Sequence, residues 1–125
     1  MPGLLQQFSN SVPVLKTARL RLRAPRLDDF EHHADFHASP RAIWEGGEKS
    51  RNEAWYIWAG DAACWSLRGY GAFSVDMNGA YVGEVGIYHP DHFPGPELGW
   101  FVIPEAEGQG IALEAAEAVL DWIRV

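Results

Sequence analysis

The sequence predicts an α/β domain with the element order β-α-α-β-β-β-α. Three observations carry that expectation. A capping box, Ser50-Arg51-Asn52-Glu53, opens a stretch with helical apolar spacing. Asn78-Gly79 stands between two runs of strand-forming residues, a strong short-range hairpin signal because a type I′ turn needs two positive φ angles. A strand over 97–103 then passes through Gly108-Gln109-Gly110 into an amphipathic helix.

Residues 1–13 read as a loose leader, and 14–125 as a single domain with no repeat or linker inside it. From Val14 to Ala24, Leu20 and Leu22 alternate with Arg19, Arg21 and Arg23, the pattern of one half-buried strand stopped by Pro25. Leu27, Phe30, Ala34 and His37 then follow helical spacing, with acids in the first turn where the helix dipole favours them. Ser39-Pro40 ends that helix. In the next one, Trp55, Trp58, Ala62 and Trp65 mark the expected buried stripe, closing near Gly69. Strands over 72–76 and 81–88 flank the Asn-Gly turn, and a Pro/Gly-rich loop over 89–96 leads to the strand 97–103. The last helix has Ile111, Ala115, Ala118, Val119 and Trp122 as its inner face and Glu114, Glu117 and Asp121 as its wet face.

The composition narrows the function classes. Of 125 residues 47% are apolar, and 6 Trp, 6 Phe and 4 Tyr are too many for a solvated tail. The net charge of −7 argues against a nucleic-acid partner, which calls for a basic excess. The acids are concentrated late: residues 70–125 hold one Arg against nine Asp and Glu, a field that attracts cations or keeps the surface soluble. The single Cys64 forms no internal disulfide and has no reactive context, which fits a reducing, cytoplasmic setting. No apolar run reaches the roughly 18 residues of a membrane span, and the start lacks a signal peptide's basic and apolar regions. Neither a membrane nor a secretory route is expected.

The chemistry points to the turn before the last helix. Amides at a helix start lack intrahelical partners, and together with the dipole they attract anions. Gly108 and Gly110 would let a phosphate approach the main chain, although the same glycines could serve turn geometry alone. Leu113 stands where a dinucleotide fingerprint needs its third glycine, and Gly47-Glu48-Lys49-Ser50 lacks the Gly-Lys pair of a P-loop. His33 and His37 have a metal-capable i,i+4 spacing, but no third ligand is placed for them. An ordinary helix surface is the expected reading there, with no metal. The tryptophans of 55–65 are expected in the core.

Gly69-Tyr70-Gly71-Ala72-Phe73, Val82-Gly83-Glu84-Val85-Gly86, Glu97-Leu98-Gly99-Trp100 and Gly108-Gln109-Gly110-Ile111-Ala112-Leu113-Glu114-Ala115, in that order, resemble the GNAT acetyltransferase superfamily. Leu20-Arg21-Leu22-Arg23 followed by Asp28-Asp29 resembles its branch of ribosomal-protein N-terminal acetyltransferases. The likeness covers about residues 14–125. It implies a GNAT-type mixed sheet and direct acetyl transfer from acetyl-CoA, as co-substrate, to a primary amine of a protein N-terminus or small molecule. The amides of Gly108, Gln109, Gly110, Ile111 and Ala112 would then hold the pyrophosphate, and the main chain of Phe101, Val102 and Ile103 the pantetheine arm. A donor on that strand would stabilise the thioester oxyanion. Glu107 departs from the family pattern and would weaken cofactor binding.

An attacking amine must be neutral, so a base is useful at neutral pH. Glu97 and Glu84 are the candidates, with sheet-edge solubilisers as the plainer alternative. Trp44 and Trp55 lie where the family borders its acceptor pocket. The family's acid for the leaving thiolate falls beyond residue 125. So do a further strand and helix, and an incomplete domain that pairs into a homodimer through its open edge is the expected consequence. A non-catalytic acyl-CoA sensor and a His-based metal-binding protein are the rival readings.

Overall fold

The computed structural model describes residues 2–124; Met1 of the expected leader and Val125 of the expected last helix lie outside them. The expected leader is a helix, α1 (Pro2–Ser11). Leu4, Phe8 and Val12 recur at four-residue intervals and so share a helical side. Phe8 packs on the main core and Val12 is buried in it, which docks the segment.

The single strand expected over 14–24 is a hairpin. β1 (Leu15–Lys16) turns back onto β2 (Leu20–Arg23), with the Thr17 amide donating to the Leu20 carbonyl at 3.0 Å. The turn is held from outside by Glu114, which accepts from the Thr17 hydroxyl and from Arg19 Nε at 2.8 Å. Glu114 is therefore a latch rather than part of a wet face. β3 (Ala72–Met77), β4 (Ala80–Tyr88) and β5 (Glu97–Val102) follow as predicted, joined first by the Asn78-Gly79 turn with φ of 54° and 80°. The sheet order is β1-β2-β3-β4-β5. Every pair among the described residues is antiparallel, and spatial neighbours are also neighbours in chain order, with helical segments intervening between β2 and β3 alone.

The helices cover both faces. α1 and α4 (Ile111–Ile123) lie over Leu22, Phe73, Val75 and Val85. α2 (Phe30–His37), entered by a 3₁₀ turn at Leu27–Asp29, and α3 (Arg51–Arg68) lie over the other face. The capping box forms as expected: Ser50 Oγ accepts from the Glu53 amide at 3.1 Å, and Glu53 accepts from the Ser50 amide at 3.0 Å. The buried stripe of α3 is offset from the expected one. It runs Ala54, Trp58, Asp61, Trp65, while Trp55 is 38% exposed and meets Phe30 edge-on.

Under α2 the sheet carries a buried ionic cluster. Arg23, expected on the wet side of its strand, is 4% exposed and uses all its donors. It bonds both oxygens of Asp76 at 2.7 and 3.0 Å, both of Asp29 at 2.9 and 3.0 Å, and the Ala24 carbonyl at 3.0 Å. Asp29 also accepts from Ser74 and the Arg26 amide. One residue of β4 is extra: Val75 pairs with Gly83 but Asp76 with Tyr81, which leaves Val82 as a bulge. Regular alternation would put Tyr81 and Glu84 on opposite faces; the bulge turns both toward α2 and α3. Among the described residues, no helix is long and apolar enough to cross a membrane.

Candidate active site

Two adjoining cavities meet across β5. One, of about 780 Å³, lies between β5, the 3₁₀ segment Pro40–Glu45 and the start of α4. The other, of about 530 Å³, lies beneath α2 and α3 over the ends of β4 and β5. Residues 98–101 and Phe36, Trp44 and Glu45 border both, so the two form a continuous cleft. On the α3 side, Gly86 pairs directly with Gly99, and the Tyr88 ring lies 3.0 Å from where a Gly99 Cβ would stand.

The first cavity ends on the glycine turn. Gly108 and Gly110 have φ of 78° and 74°, the left-handed region that glycine adopts readily. Gly110 caps α4 and supplies no side chain, so the amides of Ile111, Ala112 and Leu113 have no intrahelical partner. Of the residues expected to hold a pyrophosphate, Gly108, Gly110, Ile111 and Ala112 line the cavity; Gln109 is exposed and does not. Arg19 stands close by, its Nη2 3.7 Å from where a Gly110 Cβ would lie. Glu107, the expected liability, pairs with Arg41 at 2.6 Å, so its charge is largely offset. Arg41 also donates to the Val102 carbonyl.

The ladder corrects the expected pantetheine positions. Ile103 donates to the Val82 carbonyl at 2.9 Å, and the β4–β5 register is uniform. Alternation then turns the main-chain groups of Phe101 and Ile103 toward β4. Those of Leu98, Trp100 and Val102 face the open edge, so of the three expected positions only Val102 is available. Gly110→Val is expected to strain the turn by ~1–2 kcal/mol, because an L-residue in the left-handed region is disfavoured, and to weaken binding of a phosphate-bearing ligand by re-aiming the amides. Titration calorimetry with CoA as the probe checks this, and unchanged affinity would reject the cradle.

The second cavity gathers buried titratable groups. Glu84 is 4% exposed and accepts from the Tyr88 hydroxyl at 2.9 Å. Burial, then repulsion from Asp61, pushes its pKa up to about 8. Asp61, 7% exposed, is pushed up to about 7 by burial and then by Glu45. His33 and His37, expected on a helix surface, are buried with rings 4.5 Å apart, because α2 turns this face onto Phe101 and the cavity. Burial, then His37, holds His33 down at about 3, so it is neutral beside Glu84, 3.8 Å away. Neither ring nitrogen of His33 has a hydrogen-bond partner among the described residues. Glu97 stands exposed at the mouth, opposite Tyr88. Trp44 is 88% exposed on the shared rim; Trp55 lies in a separate hollow with Phe30 and Arg51, outside the cleft. No group of three or more His, Cys, Asp or Glu among the described residues is arranged to hold a metal.

A carboxyl whose folded pKa is raised stabilises the fold fully below its unfolded value and loses that contribution as pH rises through the folded value. Asp61 therefore disfavours the folded state above about pH 7. Asp61→Asn is expected to stabilise it there by about 1–3 kcal/mol, with little change near pH 4, as urea titrations at both pH values would show.

Sequence reasoning missed Arg19, Arg41, Asp61 and the burial of the histidines. Only Asp61 left a local signal, an acid on the apolar stripe between Trp58 and Trp65. The others acquire their surroundings from segments distant in the chain.

Comparison with known proteins bears on this geometry. The model of an acetyltransferase (GNAT) domain matches residues 19–125. An acetyltransferase from Agrobacterium tumefaciens is 41% identical with a TM-score of 0.83, the match covering 88% of this chain and 66% of that one. A GNAT-family acetyltransferase from Bacillus anthracis is 21% identical with a TM-score of 0.63, covering 88% of this chain and 65% of that one. A ribosomal L7/L12 α-N-protein acetyltransferase solved with coenzyme A is 16% identical with a TM-score of 0.67, covering 88% of this chain and 67% of that one. The last two likenesses show the fold alone. The chain spans about two thirds of the length of these structures.

Proposed function

This chain belongs to the GNAT acetyltransferase family, and on that premise we propose that it carries the site for transfer of an acetyl group from acetyl-CoA to a primary amine. The observation that carries the reading is one continuous cleft with an anion cradle at one end and a buried carboxyl, Glu84, at the other. Coenzyme A in the distantly similar ribosomal-protein acetyltransferase is in keeping with such a cofactor.

In this reading the amides of Ile111, Ala112 and Leu113 face the pyrophosphate, and Arg41, paired with Glu107, and Arg19, paired with Glu114, stand nearby as further donors. The pantetheine arm pairs with Leu98, Trp100 and Val102, displacing Arg41 from the Val102 carbonyl. An outward amide of β5 polarises the thioester oxygen as charge develops on it. The amine nitrogen attacks the carbonyl carbon, the C–N bond forms and the C–S bond breaks. The amine proton passes to the Glu84 carboxylate, the departing thiolate takes a proton from water, and Glu84 then returns its proton to the solvent. Glu97 at the mouth orients the incoming cation, and Trp44 borders its path.

The test is thiol release from acetyl-CoA, measured with a panel of primary amines and with mass analysis of the products. Acetylated amine in step with thiol release is the expected result. Tight CoA binding with no transfer to any amine would favour an acyl-CoA sensor and overturn the reading.

A further inference from the structure

We propose that the acceptor is a small diamine, whose non-reacting ammonium is seated by Asp61 and Glu45 while its reacting nitrogen lies at Glu84. The inference rests on the acetyl-transfer reading of the cavity. It begins with a misfit in α3, where Asp61 occupies a stripe otherwise built from Ala54, Trp58 and Trp65. Asp61 is 7% exposed, and its side chain lines the cavity. A largely desolvated carboxylate is unfavourable, and residues that break a local rule in this way concentrate at functional sites. The ring of His33, 2% exposed and with neither nitrogen hydrogen-bonded among the described residues, lines the same cavity. A bound cation would complete Asp61.

The charge around it points the same way. Four carboxylates, Glu45, Asp61, Glu84 and Glu97, line this cavity, and no Lys or Arg does. Lys49 sits outside the lining, with its ammonium on the carbonyls of Glu45 and Gly47. Burial keeps His33 uncharged, so it does not offset the acids. Beyond burial, which is the largest cause for each, the acids also feel one another: Glu45 raises Asp61, Asp61 raises Glu84, and Glu97 raises Glu45, the last opposed by Lys49. Two cationic nitrogens relieve this repulsion at two points, whereas a monoamine relieves it at one. Tyr56, Phe93 and Trp100 supply walls for a methylene spacer and ring faces for an ammonium. The cofactor cavity differs in that its one cation among the described residues, Arg41, is paired with Glu107 and the α4 amides stand at its wall, with Glu45 on the border of both cavities.

Calorimetry without acetyl-CoA, comparing 1,4-diaminobutane with butylamine, isolates the second charge. The diamine is expected to bind about tenfold more tightly or better, one added charge pair in a partly buried site. Asp61→Asn should erase that preference and Glu45→Gln should reduce it. Asparagine is isosteric and removes a buried charge, and Glu45 is exposed, so folding of at least one variant keeps the comparison open. Equal binding of the two amines, or a preference that survives Asp61→Asn, would overturn the proposal. Turnover separates it from the parent reading. A diamine bound with preference but never acetylated keeps the seat and overturns acetyl transfer; both amines acetylated with equal kcat/KM keeps transfer and overturns the seat.

Discussion

Glu84→Gln is expected to lower kcat/KM for amine acetylation by ~10²–10⁴ near neutral pH, the usual contribution of a positioned general base. Glutamine keeps the volume and can still accept from Tyr88, so the loss reports proton transfer rather than packing. Burial and Asp61 hold the Glu84 carboxyl largely protonated until the pH reaches about 8. Only the ionised form is a base, so the native rate should climb through that value. The deficit of the variant widens along the same rise and shrinks at higher pH, once the amine sheds its own proton. Glu97→Gln serves as the contrast. Glu97 is exposed at the mouth, so its loss should raise KM by about tenfold or less and leave the pH profile of kcat alone. A Glu84→Gln enzyme with native kcat/KM would remove the base from β4.

Arg23→Met should cost about 3–5 kcal/mol of stability, because it leaves two buried carboxylates facing each other without their cation. That is a large share of the 5–15 kcal/mol typical of a domain. Arg23 ties β2 to β3 through Asp76 and to the entry of α2 through Asp29, so the change loosens three elements together. In the native protein, burial would raise Asp29, but bonds from Arg23, the Arg26 amide and Ser74 outweigh it and hold the carboxyl below its usual range. A depressed carboxyl contributes stability that is present above its unfolded pKa and lost as pH falls. Without Arg23 the same carboxyl titrates upward. The gap between native and variant should therefore be widest at neutral pH and narrow on acidification through about pH 4. Urea midpoints across that range measure it, and a pH-independent gap would mean that packing, not charge, supplies the effect.

Much of the fold is legible in the chain itself. The Ser50–Glu53 box, the Asn78-Gly79 turn and the Gly108–Gly110 entry to α4 all form where local chemistry places them. Each depends on residues a few positions apart, whose dihedral preferences and reciprocal hydrogen bonds act before any long-range contact. The acidic bias of residues 70–125 and the placing of Glu84 and Glu97 on neighbouring strands were readable for the same reason. Elsewhere, local pattern and structure part. Alternation put Arg23 in water, but Asp29 and Asp76 arrive from elsewhere and bury it. The spacing of His33 and His37 defines a helical face, yet only the packing of α2 over β5 decides that this face is dry. Helical period alone chose Trp55 for the core, and the tilt of α3 gave that place to Ala54 and Asp61. Sequence by itself determined most of the elements, their order and the glycine turn before α4, because turns, caps and periodicity are short-range properties of the backbone. Tertiary structure alone decided which polar groups are buried, which carboxyl faces the cleft and which amides of β5 stay free. Desolvation and pairing depend on what lies across the fold, and a local pattern carries no record of that.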